Sequence, residues 1–256
     1  MLAACAGEST PRPLTPPSAA LAPSIAPVPL AAPAPSVVVR GQRDVEAFEW
    51  LWRQLRDMPF FRQNRYEVGL PSHPLFQRLA QDGIAGEDKD AAQRVFLAEV
   101  YDPRALTAGV AAIEARAPEL RPALATFARW SSRWGFTSAP RYEVVLTLYG
   151  PGGSYDPDTA TITVLTTPDG RFKKEPLHNL VHEMVHIGIE RPIVRRFDLT
   201  HHEKERLVDR LCIVAFADLL PGYQPQPLGP PELDAFIDAA ALDDLPAALG
   251  RYRRPL

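Results

Sequence analysis

Residues 177 to 190 read LHNLVHEMVHIGIE, and His178, His182 and His186 follow one another at intervals of four. On a helix, side chains four apart lie on one face, a turn from each other. His182 and His186 can therefore aim two imidazoles at a single cation. Glu183, beside the first of them, can reach the far side of the coordination position such a cation leaves open. The pattern His182-Glu183-Met184-Val185-His186 thus offers two nitrogen ligands and a carboxylate base on one helix. Three histidines on a helix could instead be satisfied core groups, but burying them with Glu183 and no metal would leave costly polar groups. His178 lies on the same side one turn earlier, and its expected part is to support the pair.

The element that must carry these residues begins at Glu175-Pro176, where proline is tolerated in a first turn. It is expected to run to about Glu190 and to stop at Arg191-Pro192. Leu177, Val181, Met184, Val185 and Gly188 form one apolar stripe, widened by Leu180, Ile187 and Ile189, so the helix should be mostly buried.

A second helix is marked by THHEKERLVDRLC at residues 200 to 212. Thr200 and Glu203 match a capping box, which starts a helix there. Leu207, Val208, Leu211, Val214 and Ala215 give it an apolar face. Glu205 and Asp209 stand one turn apart on one side, and Glu205 follows His186 by 19 residues. Glu203 is already engaged by its cap, which leaves Glu205 the better third ligand. Glu190, His201 and His202 are weaker rivals.

Taken together, residues 177 to 212 resemble the thermolysin-like zinc metallopeptidases, the gluzincins. The resemblance implies a zincin-like α+β fold with a small antiparallel or mixed sheet, two active-site helices and a sheet edge strand above the cleft. It implies Zn2+ held by His182, His186 and Glu205, with Asp209 orienting His182 and Glu183 acting as general base in hydrolysis of a peptide or protein substrate. In that family a Tyr or His often stabilises the oxyanion; Tyr149, Tyr155, His201, His202 and Tyr223 are the candidates. Two other readings stay open: an envelope lipoprotein that uses the fold for partner binding or structural zinc, and a hydrolase of a non-peptide amide.

The rest of the chain is read as scaffold and tether. Its 256 residues are 46% hydrophobic and 23% charged, an ordinary globular balance. A net charge of −3 gives no electrostatic case for nucleic acid. No apolar run reaches the roughly 18 residues of a membrane span. Leu2-Ala3-Ala4-Cys5 resembles a bacterial lipobox, though no basic and apolar leader precedes it. Nine of the 28 prolines fall between residues 11 and 35, a composition that suits a polyproline-like spacer. Residues 1 to 40 are therefore expected to be anchor and linker, with lipidated Cys5 as a membrane tether facing the periplasm, and residues 41 to 256 the domain. If the lipobox match is chance, the protein is cytoplasmic. Cys212 is expected to be an inert buried thiol.

Within the domain, residues 41 to 136 read as helical through 44–55, 91–101, 106–117 and 121–136. Trp50, Trp52, Trp130 and Trp134 are expected in the core or at its rim. Residues 141–149 and 160–166 read as two strands joined by the turn-rich loop GPGGSYDPDT. Residues 176 to 220 hold the two site helices. A Pro-rich break at 221–231 and a short helical stretch close the chain as a tail.

Overall fold

Three β-branched runs and one short polar segment pair into one mixed sheet. In the computed structural model, which describes residues 35 to 253, these are β1 (Ser36–Gly41), β2 (Arg141–Thr147), β3 (Gly153–Asp156) and β4 (Thr161–Leu165). Their spatial order is β1-β2-β4-β3. β1 and β4 both run parallel to β2, whereas β3 pairs antiparallel with β4 and forms an outer edge. Nine α-helices accompany the sheet among the described residues: α1 (Asp44–Arg56), α2 (Met58–Gln63), α3 (Pro74–Asp82), α4 (Lys89–Val95), α5 (Thr107–Arg116), α6 (Arg121–Trp134), α7 (Pro176–Ile189), α8 (His201–Ala215) and α9 (Leu245–Tyr252). The protein is α+β.

Several expectations are corrected. The linker boundary at residue 40 falls inside β1, so the described residues begin with a strand and not with helix. The run SVVVRG is short but β-branched, and its Arg40 clamps Glu46 of α1 and Glu143 of β2 at 2.6 Å each. The two strands read at 141–149 and 160–166 are present as parallel neighbours, so more than a turn-rich loop joins them. The chain between them carries β3, which returns antiparallel on the far side of β4. Arg191-Pro192 does not stop α7 outright: a wide turn over Glu190–Arg195 continues it. The stretch after residue 221 is no loose tail, since short 3-10 turns and α9 pack there through buried Leu233, Ile237, Leu245 and Leu249. The lipobox-like start with Cys5, and the spacer up to residue 34, lie outside the described residues.

Local chemistry explains the helices that matter most. The Glu175 carboxylate accepts from the backbone N–H of Leu177 and His178 at 2.8 and 3.3 Å, capping α7 ahead of Pro176. Thr200 and Glu203 form the expected reciprocal cap on α8, with Thr200 N–H donating to Glu203 at 2.9 Å. α6 ends at Gly135, whose φ of 85° is left-handed and suits glycine. The main core gathers β2, β4, α6, α7 and α8; a second cluster joins α1, α3 and α4 to Tyr149. The site lies where the sheet edge, α1, α2, α7 and α8 converge.

Gly188 sets how closely α7 sits against the turn after α6. A Cβ at that position would stand 1.8 Å from the Phe136 ring, which stacks on Phe127 at 4.8 Å. On helix propensity alone, Gly188→Ala would gain about 1 kcal/mol. The overpacking cost of about 1–3 kcal/mol wins at a site this tight. Urea denaturation should therefore show Gly188→Ala less stable than the parent, and adding Phe136→Leu should recover part of the loss.

Candidate metal centre

The apolar stripe of α7 turns its other side to a cleft of about 500 Å³. His182, Glu183 and His186 project from α7 and Glu205 from α8, all of them buried. His182 Nε2 and His186 Nε2 are 3.0 Å apart, and Glu205 Oε2 lies 3.5 and 3.4 Å from them. Donors about 2.0–2.1 Å from one tetrahedral ion stand about 3.3 Å from each other. The three observed edges bracket that value, so two nitrogens and one oxygen fit a single metal ion. Among the described residues this is the one group of at least three such side chains that converges in this way.

The electrostatics point the same way. Burial opposes ionisation of Glu205, yet its contacts with His182 and His186 hold its carboxyl far below the usual carboxylate range. Burial pushes His186 down to about 4, so its ring is neutral. Burial works against a charge on His182 too, but the Asp209, Cys212 and Glu205 contacts raise it well above its ordinary value. The protein side chains alone thus keep one proton between the facing nitrogens. A cation bound there takes the place of that proton, which makes binding stronger as pH rises.

A relay behind His182 fixes which nitrogen faces the site. His182 Nδ1 is 2.7 Å from Tyr223 Oη, and Tyr223 donates its only proton to Asp209 Oδ1 at 2.7 Å. The phenol oxygen must then accept from Nδ1–H, which leaves Nε2 to face Glu205 and His186. Asp209 Oδ1 is itself 3.4 Å from Nδ1. His178 packs its ring on Tyr223 at 5.4 Å, a supporting place. His186 is held differently. Its Nδ1 has no hydrogen-bond partner, and its ring lies parallel to Tyr155 at 4.7 Å.

Glu183 lies in the cleft with its carboxylate outside the hydrogen bonds of the described residues. Burial raises it to about 7, where it can both take and return a proton near neutrality. Gly153, at the start of β3, makes room for it: a Cβ there would sit 2.3 Å from Glu183 Oε1. The glycines of GPGG are therefore more than a turn, since one of them borders the Glu183 carboxylate.

The oxyanion candidates separate. Tyr155 lines the cleft, but it accepts from Lys204 at 2.9 Å and donates to Glu190 at 3.1 Å. That contact also accounts for Glu190, which is turned away from the metal ligands. His201 lines the cleft, with Nε2 3.1 Å from Tyr66 Oη. Three expectations are corrected in part or whole. Tyr149 is buried in the second cluster against Phe96, at 5.8 Å. His202 is exposed and does not line the cleft. Tyr223 spends its proton on Asp209 behind His182 and has none for the cleft.

Two residues were not legible beforehand. Tyr66 reaches the cleft from the loop after α2, where no pattern marks it. Gln226, in the Pro-rich stretch, donates its side-chain N–H to Glu205 Oε2 at 2.9 Å and its backbone N–H to Asp209 Oδ2 at 2.6 Å. A polar side chain set between prolines was the only available signal. Cys212 is buried beside this relay. No protein-family model matches the chain, and no curated protein or solved structure matches it.

Competitive chelator titration separates the roles. Glu205→Ala should abolish stoichiometric metal binding, whereas Glu203→Ala should keep it and lose about 1 kcal/mol of stability with its cap. Tyr223→Phe and Gln226→Ala should each weaken metal binding about 10- to 100-fold. Unchanged affinity in both would remove the relay and the Gln226 contact from the account.

Proposed function

We propose that this protein is a zinc-dependent peptidase of the gluzincin type. The observation that carries the proposal is the His182, His186 and Glu205 triangle with the Glu183 carboxylate free beside it. Two imidazoles and one carboxylate suit Zn2+ better than the all-oxygen shells of Ca2+ or Mg2+. Bound there, zinc would supply a Lewis acid that acidifies water and polarises a carbonyl. A zincin-like arrangement is further supported by β3, an antiparallel edge strand that borders the cleft through Gly153, Ser154 and Tyr155.

The chain's own groups divide the work. Glu183 takes a proton from water in the cleft and returns it to the leaving amine. Its buried position, with Gly153 against it, keeps it basic enough for the first step. Glu205, His182 and His186 hold the metal; Asp209, Tyr223 and Gln226 hold them. Tyr66, hydrogen-bonded to His201, is the donor best placed for the developing oxyanion. Burial raises Tyr66 to about 12 and lowers His201, so at neutral pH the phenol keeps its proton and the imidazole is neutral. With His201 Nε2–H donating to Tyr66 Oη, the phenol proton is left to face the substrate.

An intact base beside the ligands is what favours hydrolysis over a structural zinc. Glu183→Gln should retain zinc and lose about 10²- to 10⁴-fold in peptide hydrolysis, measured on a peptide library with and without chelator. Turnover unchanged by this substitution would end the mechanism. In the same assay Tyr66→Phe should lower kcat about 10²-fold while KM moves little.

A further inference from the structure

The charge around the cleft does not resemble the charge of the chain. The protein carries −3 overall, and only four of its 28 basic residues are lysines. Three of those four, Lys173, Lys174 and Lys204, line the cleft, together with Arg53 and Arg65. Outside the base and the metal ligands, two acids line it, Asp57 and Glu67. Both are already neutralised: Asp57 accepts from Arg56 at 2.8 Å, and Glu67 pairs with Lys173. Lys204 has a neutral partner, the Tyr155 hydroxyl at 2.9 Å. Arg53, Arg65, Lys174 and Lys204 take part in none of the ion pairs among the described residues.

These four charges come from separate places: α1, the loop after α2, the segment before α7, and α8. They surround one space without belonging to one surface strip. Arg65 also holds a left-handed backbone, with φ of 58°, where glycine or asparagine is favoured. The chain accepts that strain immediately before Tyr66, on the cleft rim. A partly enclosed cleft concentrates the field of such charges and draws in ligands of opposite sign.

We infer that the cleft selects carboxylate-bearing peptides, with acidic groups flanking the bond that is cut. This rests on the peptidase reading above and names its substrate class. Arg53, Arg65 and Lys174 are the specificity residues; Lys204 adds field from beneath, tied to Tyr155. The carboxylate has two sources, an Asp or Glu side chain or the C-terminus of the peptide, and the chemistry that attracts them is the same.

The test uses two fluorescent decapeptide libraries, identical except that Glu and Asp in one are Gln and Asn in the other. Each is made as free acid and as C-terminal amide. Hydrolysis is followed with the zinc-loaded full chain at low and high salt, and binding by anisotropy with Glu183→Gln. The acidic library should be cut and bound about tenfold better at low salt, with the advantage shrinking to about twofold near 0.5 M salt. Lys174→Gln combined with Arg65→Gln should reduce that preference at undiminished zinc content. A preference tracking the Glu/Asp content identifies side chains as the source, and one tracking free acid over amide identifies the terminus. Equal cleavage and equal binding of all four libraries would overturn the inference while leaving the peptidase reading intact. Acid-selective binding without any cleavage would do the reverse.

Discussion

Four ionisable side chains buried within reach of one another are the constraint on which this structure turns. His182, Glu183, His186 and Glu205 are each less than one-tenth exposed. Burying such groups unpaired costs several kcal/mol apiece, and two facing imidazole nitrogens at 3.0 Å cannot both keep a proton. A dication at the centre of the triangle satisfies both nitrogens and the carboxylate at once. It leaves the Glu183 carboxylate in the cleft and His186 Nδ1 behind its ring without partners. The same burial that makes the His182, His186 and Glu205 group expensive without a cation raises Glu183 toward neutrality.

Much of the surrounding fold can be read as support for that cluster. The Glu175 cap sets the start of α7, and the Thr200–Glu203 box sets the start of α8, so that Glu205 meets the two histidines from the side. Gly188 lets α7 approach Phe136 closely. The Pro-rich stretch, whose composition suggests a tail, folds back over α8 and inserts Tyr223 and Gln226 behind the ligands. Proline costs such a segment little, since it makes few backbone ladder bonds and loses less entropy on ordering. Two separate donors from it, one side chain and one backbone, hold Glu205 and Asp209 in place.

What was legible in the sequence followed from local rules. α7 and α8 announce themselves by apolar spacing and caps, because those signals act within one or two turns. The facing of His182 and His186 followed because helix geometry converts spacing into direction, whereas the expected part of Glu205 came with the resemblance. β1 was missed because six residues of alternating burial beside a proline-rich run carry little signal. β3 was missed because its glycine and polar residues look like the turn that precedes it, and only pairing with β4 makes it a strand. Tyr66, Gln226 and the true places of Tyr149, His202 and Tyr223 depend on contacts between distant segments. Tyr66 and His201 lie 135 positions apart in sequence, a separation that no local pattern encodes.

Anomalous diffraction at the zinc absorption edge, on crystals of protein purified without added chelator, addresses the central claim most directly. One peak should lie about 2.0–2.2 Å from each of His182 Nε2, His186 Nε2 and Glu205 Oε2. A triangle without a metal in zinc-supplemented crystals, or a peak centred on other ligands, would contradict it.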